Sequence, residues 1–322
     1  MNRINEYIQY HEHSVKVGDV DPGYSMLSYL CDYYELNEEQ RYWIAFLSAL
    51  TYCGASAFYI YKRFPNFDED IGRMDCWWYS IGRETTIFQT DRRWCRSRNQ
   101  FTAAVKSYQD WIGINGQEKH FASIVVEDNP EERYDNLYDS LKSLYTFGRF
   151  TLFNYLEALH TITPLDLCPT DLDLNSAWSC RNGLYYAYGL DKFIEDEQSP
   201  IPYGAEEITA EKWFELRAIF AKSKQPPTVW EIETTLCAYR KWYRDKRWIG
   251  YYLDRQATEI AKMQNNVPSG VAWSVLWKYR EETFSHEHLI EKYESIEEVM
   301  RGGSQDWRLK RLLDTQKFIK LT

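Results

Sequence analysis

The stretch 145–190, YTFGRFTLFNYLEALHTITPLDLCPTDLDLNSAWSCRNGLYYAYGL, decides the fold of this chain. Its pattern predicts a turn at 147–149, an apolar helix that ends near His160, and a loop bounded by prolines. A second helix follows, entered through Asp171 and Asp173. The same order is also typical of plain packing between two helices in an all-helical protein.

Gly148 lets another backbone approach closely because it has no Cβ, and the helix after it begins with N–H groups suited to an anion. The carboxylates of Asp171 and Asp173 then precede Arg181 and Asn182 by two to three helical turns. This order resembles the helix-hairpin-helix DNA glycosylases, in which a hairpin grips the DNA backbone and a following Asp serves the reaction centre. The Gly-Val-Gly turn usual in that family is Phe-Gly-Arg in this chain.

The composition predicts a folded, mostly α-helical protein. With 322 residues, 44% of them hydrophobic and 17% aromatic, the chain is far too apolar for disorder and can bury a large core. Few segments have the pattern of a strand. We expect an N-terminal segment at 1–23 and then, over 24–322, a single helical domain or two closely packed lobes, with 145–190 at the cleft.

The net charge of −10 argues against unselective binding of nucleic acid. Two runs, 90–106 and 240–247, nevertheless carry five basic residues and one acidic residue each. Either run is also consistent with a solvated helix face. We predict that one surface binds DNA through Arg92, Arg93, Arg96 and Arg98, together with Gly148 and Arg149.

Cysteine and histidine spacing predicts neither disulfides nor a metal site. The seven cysteines contain no CxxC pair, which fits reduced thiols, and neither His-Glu-His motif puts two imidazoles on one helix face. No signal peptide or membrane-spanning run is apparent. We therefore expect a cytoplasmic protein without a membrane partner.

The helix that starts near 228 carries the last candidate. Thr228 and Glu231 have the spacing of a capping box, so Glu231 is predicted to be structural. Glu233 lies on an oddly polar stripe of the same helix and is the better functional candidate. An intrahelical partner for Glu233 is the alternative interpretation.

Three segments stand out together: RYWIAFLSALTYCGASAFYIYKRFP (41–65), FGRFTLFNYLEAL to SCRNGL (147–184) and WEIETTLCAYRKWYRDKRWIGYYLDR (230–255). They resemble the phage alpha-glutamyl/putrescinyl thymine pyrophosphorylases, a group that includes the amino acid:DNA transferases. The likeness spans roughly residues 24–262. It implies a glycosylase-related helical fold in the cytoplasm of an infected host. It also implies two substrates, which are double-stranded phage DNA carrying pyrophosphorylated 5-hydroxymethyluracil and a free amino acid or polyamine whose amine replaces the pyrophosphate.

The available side chains suit that reaction. The leaving pyrophosphate needs guanidinium groups, such as those of Arg93, Arg149 or Arg181, or a metal such as Mg²⁺. The incoming ammonium needs a carboxylate that takes its proton. A target base inside a duplex needs extrusion, for which the many aromatic residues are suited. The predicted catalytic residues are Asp171, Asp173, Glu233, Arg181 and Asn182.

Two other functions fit the same residues. A glycosylase would cut the N-glycosidic bond with one Asp supporting the positive centre. The absence of lysine between Lys142 and Lys192 disfavours a bifunctional lyase with its amine in this stretch. A helical DNA-binding or partner-binding module without catalysis would instead bury its charged residues in structural ion pairs.

Overall fold

Helices make up nearly all the regular structure of this protein. The computed structural model describes residues 3–89, 92, 95–97, 100–194, 200–244, 247 and 249–284. The helices of the first half are α1 (Arg3–Val17), α2 (Pro22–Tyr33), α3 (Glu38–Thr51), α4 (Gly54–Arg63), α5 (Ile71–Trp77), α6 (Arg83–Thr85), α7 (Gln100–Ile112), α8 (Gln117–Ile124) and α9 (Pro130–Leu141). Those of the second half are α10 (Arg149–Ile162), α11 (Trp178–Tyr188), α12 (Glu206–Phe220), α13 (Val229–Trp242), α14 (Tyr251–Asn266) and α15 (Trp273–Thr283). No strand occurs in these described ranges, and the predicted mostly α fold class is confirmed.

Two capping boxes begin helices in the described chain. At α3, the side chain of Asn37 accepts a hydrogen bond from the backbone N–H of Gln40 at 3.0 Å. The side chain of Gln40 accepts one from the backbone N–H of Asn37 at 3.1 Å. At α13, Thr228 and Glu231 make the reciprocal pair at 3.1 and 2.6 Å. The structural role predicted for Glu231 is therefore confirmed, because its carboxylate satisfies an N–H that the helix leaves without a partner.

Helix α3 forms the centre of the core, since every residue from Tyr42 to Thr51 is buried. Phe46 stacks on Tyr108 of α7 with ring centroids 4.0 Å apart, and on Phe147 at 5.6 Å. Phe147 lies in the turn before α10, which itself packs along α3. The aromatic side chain of Phe147 therefore packs the predicted hairpin turn against the core.

Helices α11 and α13 pack closely against each other. A Cβ added to Gly183 of α11 would lie 2.1 Å from the carbonyl oxygen of Leu236 in α13. Only glycine permits this approach, because any other residue would force the two backbones apart. The pair matters for the site, since both helices contribute residues to it.

Helix α1 belongs to the core. It buries Tyr7 and Tyr10 against α11 and α13, and one hydrophobic cluster runs from Ile4 to Phe284. The sequence analysis treated 1–23 as a separate segment. That division, and the choice between one domain and two lobes over 24–322, stay predictions.

The second helix of the 145–190 stretch starts later than the sequence predicts. Helix α10 begins at Arg149, but α11 begins at Trp178, and the acidic pair lies in the loop between them. Asp173 has a left-handed backbone (φ 47°), and its carbonyl oxygen accepts the N–H groups of Ser176 and Ala177 at 3.0 and 2.8 Å. This tight turn delays the helix.

The described helices include no segment that is both long enough and apolar enough to span a bilayer.

Candidate active site

A cleft of about 860 Å³ opens where the N-termini of α10, α11 and α14 meet α13. This volume is in the range of sites that hold small molecules or cofactors. Its walls are formed by Asp21, Tyr52, Gln89, Arg92, Thr146, 148–151, 176–180, Glu233, Thr234, Cys237, Arg240, Lys241, Arg247, Tyr251, Tyr252 and Arg255.

Two helix N-termini face this cleft. Gly148 is the N-cap of α10, and a Cβ added to it would meet nothing within 4 Å. Ala177 is the N-cap of α11, and Trp178 and Ser179 follow it along the cleft wall. Neither cap residue has a side-chain hydrogen bond to its helix. The first N–H groups of both helices, with their partial positive charge, are therefore positioned for an anion.

Basic side chains outnumber acidic ones three to one on the walls, with six cations and two carboxylates. The guanidinium of Arg240 stacks on the Trp178 ring at 4.5 Å, and that of Arg247 lies 4.4 Å from the Tyr251 ring. Nη1 of Arg247 also donates to the Tyr252 hydroxyl at 2.9 Å. Contact with an aromatic ring limits the movement of these two cations at the cleft wall.

The two carboxylates, Asp21 and Glu233, lie on neighbouring elements. The pKa of Glu233 is raised to about 7, mainly by burial and also by the charge of Asp21, while a hydrogen bond from Cys180 and the charges of Arg149 and Arg247 act in the opposite direction. Burial also raises the pKa of Asp21, whose Oδ2 accepts the hydroxyl of Thr234. A carboxylate with a pKa near neutrality can both take and return a proton under physiological conditions.

Backbone strain is concentrated around the cleft. Among the described residues, the non-glycine positions with positive φ are Asp21, Glu35, Tyr52, Thr146 and Asp173. Asp21, Tyr52 and Thr146 are on the cleft wall. Left-handed conformations of such residues cost about 1–3 kcal/mol each and persist mainly at functional sites. This independent feature supports the cleft as the site.

Four of the predicted site residues line the cleft: Arg92, Gly148, Arg149 and Glu233. Arg92 is buried, and its Nη1 donates to Oγ1 of Thr151 at 2.7 Å, which ties the segment before α7 to the start of α10.

The acidic pair lies outside the cleft wall. Asp171 and Asp173 are both exposed, and Oδ1 of Asp171 accepts the N–H of Leu172 at 2.7 Å. Oδ2 of Asp173 lies 3.3 Å from Nε of Arg149, so this carboxylate orients a cleft arginine from behind. The catalytic role of the pair stays a prediction.

Arg181 and Asn182 are buried residues of α11. Arg181 is 1% exposed, and its Nη1 donates to the carbonyl oxygens of Leu174 and Asn175 at 3.1 and 3.0 Å. Neither Arg181 nor Asn182 is among the cleft-lining residues. The contacts of Arg181 favour a role in holding the loop before α11, and the catalytic role predicted for both residues is untested.

Of the other arginines predicted to bind DNA, only Arg96 lies within the described residues, and their role stays a prediction. Nη2 of Arg96 donates to the carbonyl oxygen of Arg83 at 2.9 Å, away from the cleft wall. Arg93 and Arg98 lie outside the described residues.

The sequence analysis missed Asp21, Arg240, Arg247 and Arg255. Asp21 falls in the N-terminal segment 1–23, to which the sequence analysis gave no function. The basic run 240–247 had been noted without a role, and its spacing from Glu233 places Arg240 two helical turns further on the same stripe. No local signal marks Arg255.

A protein-held metal does not fit the donor set of the cleft. Among the described residues, no group of three or more His, Cys, Asp or Glu side chains could hold a metal ion. The cleft has two carboxylates amid six cations. We therefore derive no step through the Mg²⁺ that the sequence resemblance allowed.

Comparison with known proteins gives a family and a relative. A family model described as amino acid:DNA transferase matches residues 15–247, which include all of the cleft wall except its part on α14. A protein named serinyltransferase, from Salmonella phage ViI, is 26% identical over 263 residues, covering 75% of this chain and 63% of that protein. This chain thus spans less than two thirds of the length of that relative. No solved structure matches the chain.

Proposed function

This chain belongs to the amino acid:DNA transferase family, and we propose that it joins the amino group of an amino acid to pyrophosphorylated 5-hydroxymethyluracil in phage DNA. Pyrophosphate leaves in this reaction. The observation that carries the proposal is a single cleft in which a basic wall with two helix N-termini faces the carboxylates of Asp21 and Glu233. Serine is the amino acid named for the phage ViI relative, and we propose it as the donor here.

The basic wall suits the leaving group. As the C–O bond to the methylene carbon breaks, its electron pair goes to the pyrophosphate oxygen, and negative charge grows there. N–H groups at the starts of α10 and α11, with Arg149 and Arg240, would stabilise that charge without reorganising. A partly dry cleft strengthens each of these interactions.

Glu233 suits the incoming amine. The ammonium of an amino acid must lose one proton before its nitrogen attacks the methylene carbon and forms the C–N bond. With a pKa of about 7, Glu233 is ionised in a large fraction of molecules at neutral pH and can take that proton. The product is a secondary amine on the methylene carbon of the base.

Aromatic side chains suit the target base. Tyr52, Phe150, Trp178 and Tyr251 line the same cleft as the charged groups. A base extruded from the duplex would gain stacking on such rings, which offsets part of the lost stacking in DNA. Phe150 is 37% exposed at the first turn of α10, which places an apolar side chain beside the proposed DNA-binding turn.

We also propose that α9, the turn before Gly148 and α10 act as the DNA-gripping hairpin of a helix-hairpin-helix glycosylase-like fold. The support is the open N-terminus of α10 and the position of Arg149 beside it. A glycosylase reaction is the second candidate, but the cleft wall presents more basic groups than a neutral leaving base requires. A binding module without catalysis does not account for the raised pKa of Glu233 within an open cleft.

The experiment uses duplex DNA containing pyrophosphorylated 5-hydroxymethyluracil, incubated with the protein and with serine, glycine, glutamate or putrescine separately. Nucleosides released by digestion are identified by mass spectrometry, and the released pyrophosphate is quantified in the same reactions. The proposal expects an amino acid adduct and one pyrophosphate per adduct. Abasic sites without an adduct would establish the glycosylase reaction instead. Unchanged nucleosides with intact DNA binding would favour a DNA-binding module without catalysis.

A further inference from the structure

A small recess of about 40 Å³ continues inward from the candidate active site. The cleft and the recess share four residues, Asp21, Tyr52, Tyr252 and Arg255. The recess is closed by the first residues of α2, the junction of α3 and α4, and one face of α14. Any molecule in it would therefore have one end at the reaction centre.

The mouth of the recess carries one group of each charge. Oδ2 of Asp21 accepts the Thr234 hydroxyl, while its Oδ1 has no hydrogen-bond donor among the described residues. Nε of Arg255 pairs with Oε1 of Glu259 at 3.0 Å. In the same described part of the chain, the Nη atoms of Arg255 make only one long bond, 3.5 Å from Nη2 to the carbonyl oxygen of Tyr52. An acceptor and a cationic donor thus remain at the mouth.

A buried hydroxyl without a partner belongs to the wall. Tyr24 lines the recess and is 5% exposed, and its hydroxyl forms no hydrogen bond within the described structure. Asp21, Tyr52 and Arg255 line the same recess as Tyr24. A buried hydroxyl left without a partner is costly, and a ligand group that bonds to it would remove that cost.

The size of the recess limits what can enter. One water-sized group needs about 10–15 Å³ of such space, so 40 Å³ holds about three. A hydroxymethyl side chain fits this space, whereas the side chain of glutamate does not. A polyamine lacks the carboxylate that the free donors of Arg255 would bind.

We infer that this recess is the amino-acid subsite: Asp21 binds the ammonium, Arg255 binds the carboxylate, and the recess admits a small hydroxylated side chain that meets the Tyr24 hydroxyl. This inference rests on the proposed function and adds to it the residues that select the amino acid. Ion pairing at both ends of a zwitterion also positions its nitrogen at the boundary with the cleft, whose wall carries Glu233.

The first test is binding, measured by calorimetry on the full chain in the presence of duplex DNA containing 5-hydroxymethyluracil. Serine should bind at least tenfold more tightly than glutamate, whose side chain is too large for the recess. It should also bind at least tenfold more tightly than ethanolamine, which lacks the carboxylate, or lactate, which lacks the ammonium. Asp21→Asn should weaken the binding of serine at least tenfold, because the negative charge that pairs with the ammonium is lost. The fold should be kept, because asparagine tolerates the left-handed backbone of this position. Equal binding of glutamate or putrescine and serine, or no binding of serine, overturns the inference.

Tyr24→Phe separates the hydroxyl from the volume. This substitution should weaken the binding of serine about threefold to tenfold and leave the binding of glycine unchanged, because only serine has a hydroxyl that can bond to the tyrosine hydroxyl. Tyr10→Phe is the matched control, since Tyr10 is also a fully buried tyrosine but lies on α1. An equal loss for serine and glycine, or serine binding unchanged in Tyr24→Phe, contradicts the role of Tyr24.

The two proposals fail in different ways. If serine binds with this pattern but no nucleoside is modified, the proposed function is wrong and the subsite stands. If nucleosides are modified with glutamate or putrescine in preference to serine, the transfer reaction stands and the subsite assignment is wrong.

Discussion

The thiol of Cys180 lies 3.0 Å from Oε1 of Glu233, across the gap between α11 and α13. The hydrogen bond favours the ionised form of Glu233, but burial outweighs it and keeps the pKa at about 7. The closeness of the two helices, which depends on Gly183, places this carboxylate at the start of α11, beside the proposed pyrophosphate site.

Replacing Glu233 by Gln is expected to reduce amine transfer about 10²–10⁴-fold, because the proton acceptor is lost. In the wild type, kcat/KM for the amine should rise with pH through an inflection near 7, and this inflection should be missing in the variant. Glu231→Gln on the same helix is the control, since glutamine at that position retains a capping box. Equal activity of the two variants would remove Glu233 from the mechanism.

The same substitution should stabilise the protein at alkaline pH. The pKa of Glu233 is raised from 4.5 to about 7, so between these values the folded state holds more protons than the unfolded state, and stability falls as pH rises. Glutamine has no such titration. The difference in Tm between Glu233→Gln and wild type should therefore grow from pH 4.5 to 7 and then level off, as measured by scanning calorimetry. A constant difference would contradict a buried Glu233.

Arg149 is expected to contact the anionic substrate. Arg149→Gln should weaken DNA binding and lower the slope of log Kd against log salt by about 1, because one phosphate contact releases about one counterion. Arg73→Gln is the surface control, since the exposed Arg73 of α5 pairs with Glu69, which precedes that helix, and is not among the cleft-lining residues. Fluorescence anisotropy at several salt concentrations measures both. An unchanged slope in Arg149→Gln places the DNA elsewhere.

Asp19 is expected to hold α14 against the site. Its carboxylate accepts the backbone N–H groups of Gly250 and Tyr252, both at 2.7 Å, and of Leu253 at 3.2 Å. Asp19→Ala should cost about 1.5–3 kcal/mol of unfolding free energy, since buried hydrogen bonds to a charged group are lost. Asp19→Asn keeps one acceptor oxygen and should lose less. Equal denaturation midpoints for wild type and Asp19→Ala would show that the cap contributes nothing.

Gly183→Ala should disrupt the fold. The added methyl group would lie 2.1 Å from the Leu236 carbonyl oxygen, and two packed backbones must separate to admit it. Overpacking of this kind costs about 1–3 kcal/mol or more. Gly23→Ala is the control, because a Cβ there meets nothing within 4 Å. Similar urea midpoints for the two variants would contradict the close approach of α11 and α13.

Arg181 distinguishes a structural from a catalytic interpretation. Arg181→Leu should lower Tm, because the carbonyl oxygens of Leu174 and Asn175 lose a buried donor. Amine transfer per folded molecule should stay near the wild-type value. The catalytic role predicted from the sequence requires the opposite result, a large loss of transfer in protein that remains folded.

Asp171→Asn and Asp173→Asn complete that comparison. Asp171→Asn is expected to be nearly neutral, while Asp173→Asn should act through Arg149 and reduce DNA affinity modestly, because exposed ion pairs are worth about 0–1 kcal/mol. Loss of transfer with unchanged DNA affinity in either variant would restore the catalytic role predicted for these aspartates.

The sequence by itself determined the helical class, the capping box of α13 and the start of α10, because these depend on periodicity and on residues three or four positions apart. It also predicted Glu233 and Arg149 as site residues, since a polar stripe and a basic residue beside a turn are visible locally. Only the tertiary structure decided that Asp21 and Arg255, 234 positions apart, border one recess. It likewise decided that Arg181 faces backbone carbonyl oxygens in the core and not the cleft. The physical reason is that the choice between a buried structural charge and a reactive one depends on which distant groups surround it, and sequence spacing carries no record of that environment.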